Sequence, residues 1–248
     1  MMRTFGLIGF PLGHSFSKKF FTEKFEQEGI EDCSYELFPM ENIDSITTLT
    51  EQDNTLMGLN ITIPHKVNVL PYLNDLDDAA KTIGAVNCIS IENREGKRWL
   101  KGYNTDAFGF AESLKPCLKA HHTKALVLGD GGAAKAVKYV LDQLNISYIS
   151  VVRTAVPGAV LYEQLTEELV ASHQLIINTT PLGTFPNIEG APAIPYHLLT
   201  DQHLAYDLVY NPEETAFMSR AKARGAVVKN GLEMLQLQAL RAWAIWNT

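Results

Sequence analysis

Two short segments of this chain carry the residue types needed to move a proton on and off an alcohol. Asn60-Ile-Thr62-Ile-Pro64-His65-Lys66 ends an apolar run in polar side chains and a proline-opened turn, and Asn104-Thr105-Asp106 closes another run. Turning an alcohol into a ketone requires a group that takes the hydroxyl proton. A lysine does this poorly at neutral pH unless a cleft desolvates its amine and an acid orients it. Lys66 with Asp106 is therefore a candidate pair, and His65 and His14 are rivals because imidazole titrates in the right range. Each candidate also has a plain structural reading. Lysines commonly lie on surfaces, and Asp106 is well placed to cap a helix starting near Phe108.

A second constellation points to the oxidant. The run Ala125-Leu-Val-Leu-Gly129-Asp130-Gly131-Gly132-Ala133-Ala134 fits G-x-G-x-x-A. In that pattern the first glycine makes a tight turn, the second lets a pyrophosphate approach the backbone, and the third small residue lets helix and strand pack closely. The free N–H groups and partial positive charge of the following helix face the phosphates. The match lies between an apolar strand and a helical run, with a second strand after it, which is the context that gives the motif weight. About 20 residues on, sites for NAD place an acid on the ribose, and sites for NADP place an arginine there. This chain has Arg153-Thr154 just after the second strand and no acid until Glu163, so NADP is the expected cofactor.

These residues need a scaffold, and short apolar runs alternating with helical patterns predict an α/β fold. In the first half the expected strands are Thr4–Ile8, Ser34–Phe38, Gly58–Ile63, Ala85–Ile91 and Arg98–Gly102, with a helix over Ser17–Gln27. A connecting helix is expected over Phe108–Lys119, before the polar break His121-His122-Thr123. The second rhythm has strands at Ala125–Leu128, Ser147–Val152, Leu175–Thr179, Leu204–Val209 and Ala226–Val228, with helices over Ala133–Leu144 and Glu214–Arg224. Its near-continuous apolar strands predict a parallel sheet covered on both faces. The expected division is a substrate-binding and catalytic domain over 1–105 and a Rossmann-like dinucleotide-binding domain over 106–231. The final helical stretch, 232–248, is expected to pack back on the first domain.

Composition narrows the partners. A net charge of −7 argues against a nucleic-acid binder, which needs a basic excess. Cys33, Cys88 and Cys117 form no CxxC pair and are expected as buried free thiols in a reducing cytoplasm. No apolar run approaches the ~20 residues that span a bilayer, and the first ten residues do not read as a signal segment. The expected partners are thus small molecules, with no nucleic acid and no membrane, and the expected assembly is a monomer or homodimer.

Taken together the motifs resemble those of the shikimate dehydrogenase family, nearly from end to end. Gly6-Leu-Ile-Gly9 through His14-Ser15-Phe-Ser17 resembles its opening strand and serine-x-serine motif, and Asn60 to Lys66 its N-x-T-x-P-x-K segment. Gly84-Ala-Val-Asn87, Asn104-Thr105-Asp106, the Gly129 turn and Asn178-Thr179-Thr180-Pro181 follow in order. Asp207-Leu208-Val209-Tyr210 and Gly231 through Met234-Leu235 to Gln238 complete the series. The resemblance implies NADP-linked interconversion of shikimate and 3-dehydroshikimate, a step toward chorismate and the aromatic amino acids. It makes Lys66 and Asp106 the catalytic pair, and has Ser15, Ser17, Thr62, Asn87, Tyr210 and Gln238 hold the substrate's carboxylate and hydroxyls. Asp78, Leu208 and Gly231 would lie near the cofactor, alongside Gly129, Asp130, Gly131, Gly132, Ala133, Arg153 and Thr154.

The chain departs from the family's pattern at defined places. Lys18 stands where a proline often follows the second serine, and Asp130 occupies the variable position of the glycine turn. The N-R-T-x-x-R cofactor segment reads Val152-Arg153-Thr154-Ala155-Val156-Pro157, without its first asparagine and last arginine. A weaker preference for NADP follows. The alternatives are a quinate/shikimate dehydrogenase using NAD or NADP, and a catalytically silent nucleotide-binding homologue; retention of both Lys66 and Asp106 weighs against the second.

Overall fold

The computed structural model describes residues 2–13 and 16–248, so His14 and Ser15 lie outside the described residues. The chain forms two compact units, Met1–Thr105 with Ala239–Thr248, and Asp106–Gln238.

The first unit is built from β1 (Arg3–Gly9), α1 (Phe16–Glu28), β2 (Cys33–Pro39), α2 (Ser45–Gln52), β3 (Leu56–Ile61), α3 (His65–Asn68), β4 (Asp75–Leu76), α4 (Asp78–Ile83), β5 (Cys88–Arg94) and β6 (Lys97–Tyr103). Its sheet runs β2-β1-β3-β5-β6-β4. β1 pairs in parallel with β2 and β3, whereas β3–β5 and β5–β6 are antiparallel. The β5–β6 hairpin closes through Glu95 and Gly96, both at positive φ, the geometry that matches the twist of paired strands. Alternation along β1 sends Phe5 and Leu7 to one face and Ile8 to the other. The Ile8 face is aliphatic, with Ile46, Leu59 and Ile89. The Phe5 face is aromatic, with Phe21, Phe25, Tyr35 and Trp246.

Trp246 comes from the last helix, α9 (Leu232–Trp246), whose later turns carry Ala239, Ala242 and Trp246 into the aromatic cluster. Its indole stacks on Phe5 at 4.8 Å and donates from Nε1 to the Ile89 carbonyl at 2.9 Å. A methyl group at Gly58 would sit 2.2 Å from that indole, so β3 must carry glycine where the helix lies on it.

The second unit holds α5 (Thr105–Leu114, with Thr105 itself closing the first unit), β7 (Lys124–Leu128), α6 (Gly132–Gln143), β8 (Ser147–Val152), β9 (Ala159–Leu161), α7 (Glu167–Ser172), β10 (Leu175–Asn178), β11 (Leu204–Asp207), α8 (Ala216–Lys222) and β12 (Val227–Lys229). The first turns of α9 belong here as well, with Gly109 of α5 approaching the Met234 carbonyl and Gln238 closely. All its strand pairs are parallel, in the order β12-β11-β10-β7-β8-β9. β7, β10 and β11 are buried along nearly their whole length.

Several elements differ from the sequence expectations, each for a local reason. The strand expected from Ala85 begins at Cys88, because the Val86 N–H is engaged by the Lys66 carbonyl at 2.8 Å. The strand expected to reach Ile63 ends at Ile61, where the chain turns through Pro64 into α3. The helix α2 gives little sequence signal, since its three threonines are weak helix formers; buried Ile46 and Thr50 hold it down. The connecting helix starts at Thr105 and ends at Leu114, with a 3-10 turn to Cys117. Asp106 therefore lies inside its first turn and does not cap a helix from Phe108. Cys33, Cys88 and Cys117 are in no disulfide, but only Cys88 is buried; Cys33 and Cys117 are half-buried.

Candidate functional site

The first unit gathers its polar candidates on a buried network. β3 ends with Asn60 pointing into the interior, 4% exposed, because its Oδ1 accepts from the Tyr35 hydroxyl at 2.8 Å and its Nδ2 donates to the Asn87 carbonyl at 3.3 Å. The Tyr35 hydroxyl in turn hydrogen-bonds with the side chain of Ser17. Burial holds the Tyr35 phenol well above its usual range, so it remains a donor. Asn87 donates from Nδ2 to Thr105 Oγ1 at 3.0 Å and accepts the Thr105 N–H at 2.6 Å. Asn104 donates to the Ala85 carbonyl at 3.0 Å. Ser17, Asn60, Asn87 and Thr105 are thus held in one chain of hydrogen bonds, each orienting the next.

Lys66 is placed by backbone hydrogen bonds beside this network. Thr62 is tied to β1 by its N–H on the Ile8 carbonyl at 2.9 Å, and the His65 N–H returns to the Thr62 carbonyl at 2.9 Å. Lys66, half-buried one residue later, is pinned through its own carbonyl to Val86, the neighbour of Asn87. The rival His65 is 2% exposed and bonded through Nε2 to the Met40 carbonyl at 2.6 Å, a core histidine without access to a substrate. Lys18, at the position where the family often has proline, pairs with Glu36 at 2.9 Å. Asp78, the cofactor candidate that belongs to this unit, is exposed at the first turn of α4, next to the capping Asp77. Asp106 opens the second unit, half-buried in the first turn of α5, where a carboxylate is favoured by the helix dipole.

The second unit places its candidates at the C-terminal edge of the parallel sheet. β7 ends at Leu128 and Gly129 turns at φ +102°, a left-handed backbone that side chains rarely adopt. A side chain there would also strike Thr179 and Thr180. Gly131 occupies the N-cap of α6 and offers no side chain to the helix's free N–H groups. Methyl groups at Gly131 and Gly132 would meet nothing within 4 Å, so the backbone stands open in front of the helix. Ala133 follows in the first turn, and Ala134 is fully buried against the sheet. Asp130 is balanced by an ion pair with Lys138, two turns down the same helix. That pairing answers the repulsion expected of an acid beside a phosphate.

This open turn forms one wall of a cavity of about 380 Å³, lined further by Arg153, Thr154, Tyr162 and Thr179–Leu182. Val152, in place of the family's asparagine, is buried at the end of β8, and Pro157 is exposed in the loop after it. The residues fit an NADP: glycines and free N–H groups for the pyrophosphate, and Arg153 with Thr154 for the ribose end. Leu208 and Gly231 press backbone on backbone, a methyl group at Gly231 falling 2.1 Å from the Leu208 carbonyl oxygen. Gln238 is buried and donates to the Leu235 carbonyl at 2.9 Å, and Tyr210 is 37% exposed.

Asp207 is a loop-ordering residue to which the sequence reading assigns no role of its own. It is fully buried, accepting from Asn178 Nδ2 at 2.9 Å, Thr215 Oγ1 at 2.6 Å and the Val209 N–H at 3.0 Å. Asn178 passes this order on to Thr180, whose N–H and hydroxyl both reach Asn178 Oδ1. Burial outweighs the three donors and raises the Asp207 carboxyl to about 6. The N-T-T-P and D-L-V-Y motifs contained these residues, but their contact across β10 and β11 has no sequence signal.

A mixed-sheet unit with a buried network of polar side chains, joined in sequence to an all-parallel unit with a glycine turn and an arginine-edged cavity, is the architecture of a two-domain pyridine-nucleotide dehydrogenase. The family model for the shikimate dehydrogenase substrate binding domain matches residues 7–89. A curated shikimate dehydrogenase (NADP(+)) of Desulforamulus reducens is 35% identical over 98% of this chain and 89% of its own length. Among solved structures, a chorismate mutase/shikimate 5-dehydrogenase fusion protein from Clostridium acetobutylicum superposes with a TM-score of 0.87 at 35% identity, over 100% of this chain and 92% of that one. Shikimate 5-dehydrogenase from Thermus thermophilus, in complex with NADP(H) and shikimate, gives 0.83 at 33% identity over 99% and 93%. The chain belongs to the shikimate dehydrogenase family.

Proposed function

We propose that this protein catalyses the reversible NADP-linked reduction of 3-dehydroshikimate to shikimate, within chorismate biosynthesis. The observation that carries the reading is Lys66, pinned through its backbone beside Asn87 in the unit that aligns with the family's substrate-binding domain. NADP, when bound, supplies the hydride donor or acceptor. The protein's residues manage the proton and the ring. In oxidation the Lys66 amine takes the alcohol proton as the hydride leaves the carbon, and in reduction the ammonium returns it. Asp106 orients that ammonium and balances its charge.

Ser15, Ser17, Thr62, Asn87, Tyr210 and Gln238 hold the carboxylate and hydroxyls. A polyhydroxylated ring acid needs such partners, since each buried hydroxyl left unpaired costs about 1–3 kcal/mol. Gly129 through Ala133, Arg153 and Thr154 hold the cofactor, with Asp78, Leu208 and Gly231 near it. The same reading has the enzyme act on small molecules alone, in the cytoplasm, as a monomer or homodimer. Its acidic balance and free thiols support this, and light scattering after size-exclusion chromatography reads the assembly state.

The deciding assay is shikimate and quinate, each with NADP and with NAD, followed at the nicotinamide absorbance band. Shikimate with NADP should be the most efficient pair. Preference for quinate with NAD would overturn the assignment in favour of a quinate enzyme. Cofactor binding without turnover on either acid would leave a silent nucleotide-binding homologue.

A further inference from the structure

The cavity beside the glycine turn contains a residue that no motif singles out. β8 and β9 pair in parallel with Val152 opposite Leu161. The residues that follow those two, Arg153 and Tyr162, therefore emerge side by side at the same edge of the sheet, and both line the cavity. Only residues 153–158 connect the two strands, so the chain returns to that edge directly. The Tyr162 ring packs on the core of the second unit, which fixes its position. Its phenol feels two opposing influences, burial raising its pKa and the Arg153 guanidinium lowering it. Burial is the larger influence and keeps the phenol protonated, as a donor.

Arg153 and Tyr162, lining one cavity, can supply a guanidinium and a phenol hydroxyl, a donor set for a phosphate monoester dianion. This chain has Pro157 where the family's pattern has its second arginine, which leaves Arg153 and the Thr154 hydroxyl as the donors the motif itself supplies. We propose that Tyr162 is a further member of the subsite for the ribose 2′-phosphate of NADP, donating its hydroxyl to the phosphate that Arg153 pairs with. The proposal rests on the NADP-linked reading above and adds to it a residue that sets cofactor choice.

Tyr162→Phe removes the hydroxyl and keeps the ring that packs on the core. In the full-length enzyme it should raise the Michaelis constant for NADP about 10-fold, the size of a lost hydrogen bond to a charged group. The constant for NAD, which has no phosphate there, should move by less than about twofold. Inhibition by adenosine 2′-monophosphate should weaken about 10-fold as well, while inhibition by adenosine 5′-monophosphate should hold. An unchanged NADP-to-NAD ratio in the variant overturns the proposal. An equal loss for both cofactors also overturns it, since the phenol would then serve the shared adenosine or the fold. If the unaltered enzyme shows no preference for NADP, the underlying cofactor reading fails, and this proposal with it.

Discussion

The two units handle polar ligands by opposite means. In the first, the candidate ligands are side chains oriented by one another: Ser17 on Tyr35, Tyr35 on Asn60, Asn60 on the Asn87 carbonyl, Asn87 on Thr105. In the second, the essential features are backbone and space, namely the left-handed Gly129, the open Gly131 and Gly132, and the free N-terminus of α6. The difference follows from the ligands proposed for each. A pyrophosphate is a compact, repeated charge that a helix N-terminus can meet with N–H groups. A ring with several distinct hydroxyls and a carboxylate must be met by donors and acceptors each fixed in direction. Such fixing requires buried polar side chains, and every one of them must be satisfied.

The comparison breaks first at Lys66. If the first unit supplies the chemistry, Lys66→Ala should lower kcat by ~100-fold or more with little change in the shikimate Michaelis constant. A raised Michaelis constant with near-normal kcat would make Lys66 a binding residue, and the first unit a holder only. Next comes the helix that supplies the first unit with its aromatic cap. Trp246→Ala should cost about 3–5 kcal/mol of unfolding free energy, through lost packing on Phe5 and a lost bond to Ile89. Chemical denaturation with tryptophan-independent far-ultraviolet dichroism reads this directly. A loss below ~1 kcal/mol would mean that the aromatic cluster holds without its last member.

Asp207 sharpens the comparison, because it is a buried carboxylate that orders the second unit's loops. Its folded pKa of about 6 lies above the ordinary 3.8, so folding favours the protonated form. The stabilising contribution is complete below the unfolded value and is lost as pH rises through about 6. Across that window the loss amounts to about 3 kcal/mol. Unfolding free energies of the natural chain and of Asp207→Asn should therefore differ more in the natural chain's favour at pH 4 than at pH 7.5. A difference that grows with rising pH would show the three donors winning over burial.

The smallest expected effect is at Arg153. Replacing it by serine should raise the NADP Michaelis constant by ~10- to 150-fold and leave NAD nearly untouched, the range for one charge-assisted contact. Parallel weakening of both cofactors would point to damage of the fold and away from a phosphate contact.

Much of the second unit was legible in the sequence because its signals are local. A glycine that must turn left-handed, a small residue that must pack, and apolar strands buried on both faces are properties of neighbouring residues. Lys66 could be picked out in the same way, at the polar end of an apolar run, whereas Asn87 stood out only through the family resemblance, being inside the strand expected over Ala85–Ile91. The sequence alone could not show that Asn60 and Asn87 belong to one network, since 27 residues separate them and only the antiparallel pairing of β3 with β5 joins them. Nor could it tell that His65 turns into the core while the next residue, Lys66, does not, because a helix of four residues has no periodicity to read.

The sequence by itself determined which residues were available and where the backbone had to turn: the glycine motif, the arginine after the second strand, the polar ends of the apolar runs. Tertiary structure alone decided which of them meet. Parallel pairing of β8 with β9 set Tyr162 beside Arg153, and pairing of β10 with β11 set Asp207 against Asn178. The physical reason is that strand register is fixed by burial summed over a whole sheet face, whereas a turn is fixed by the few residues that make it.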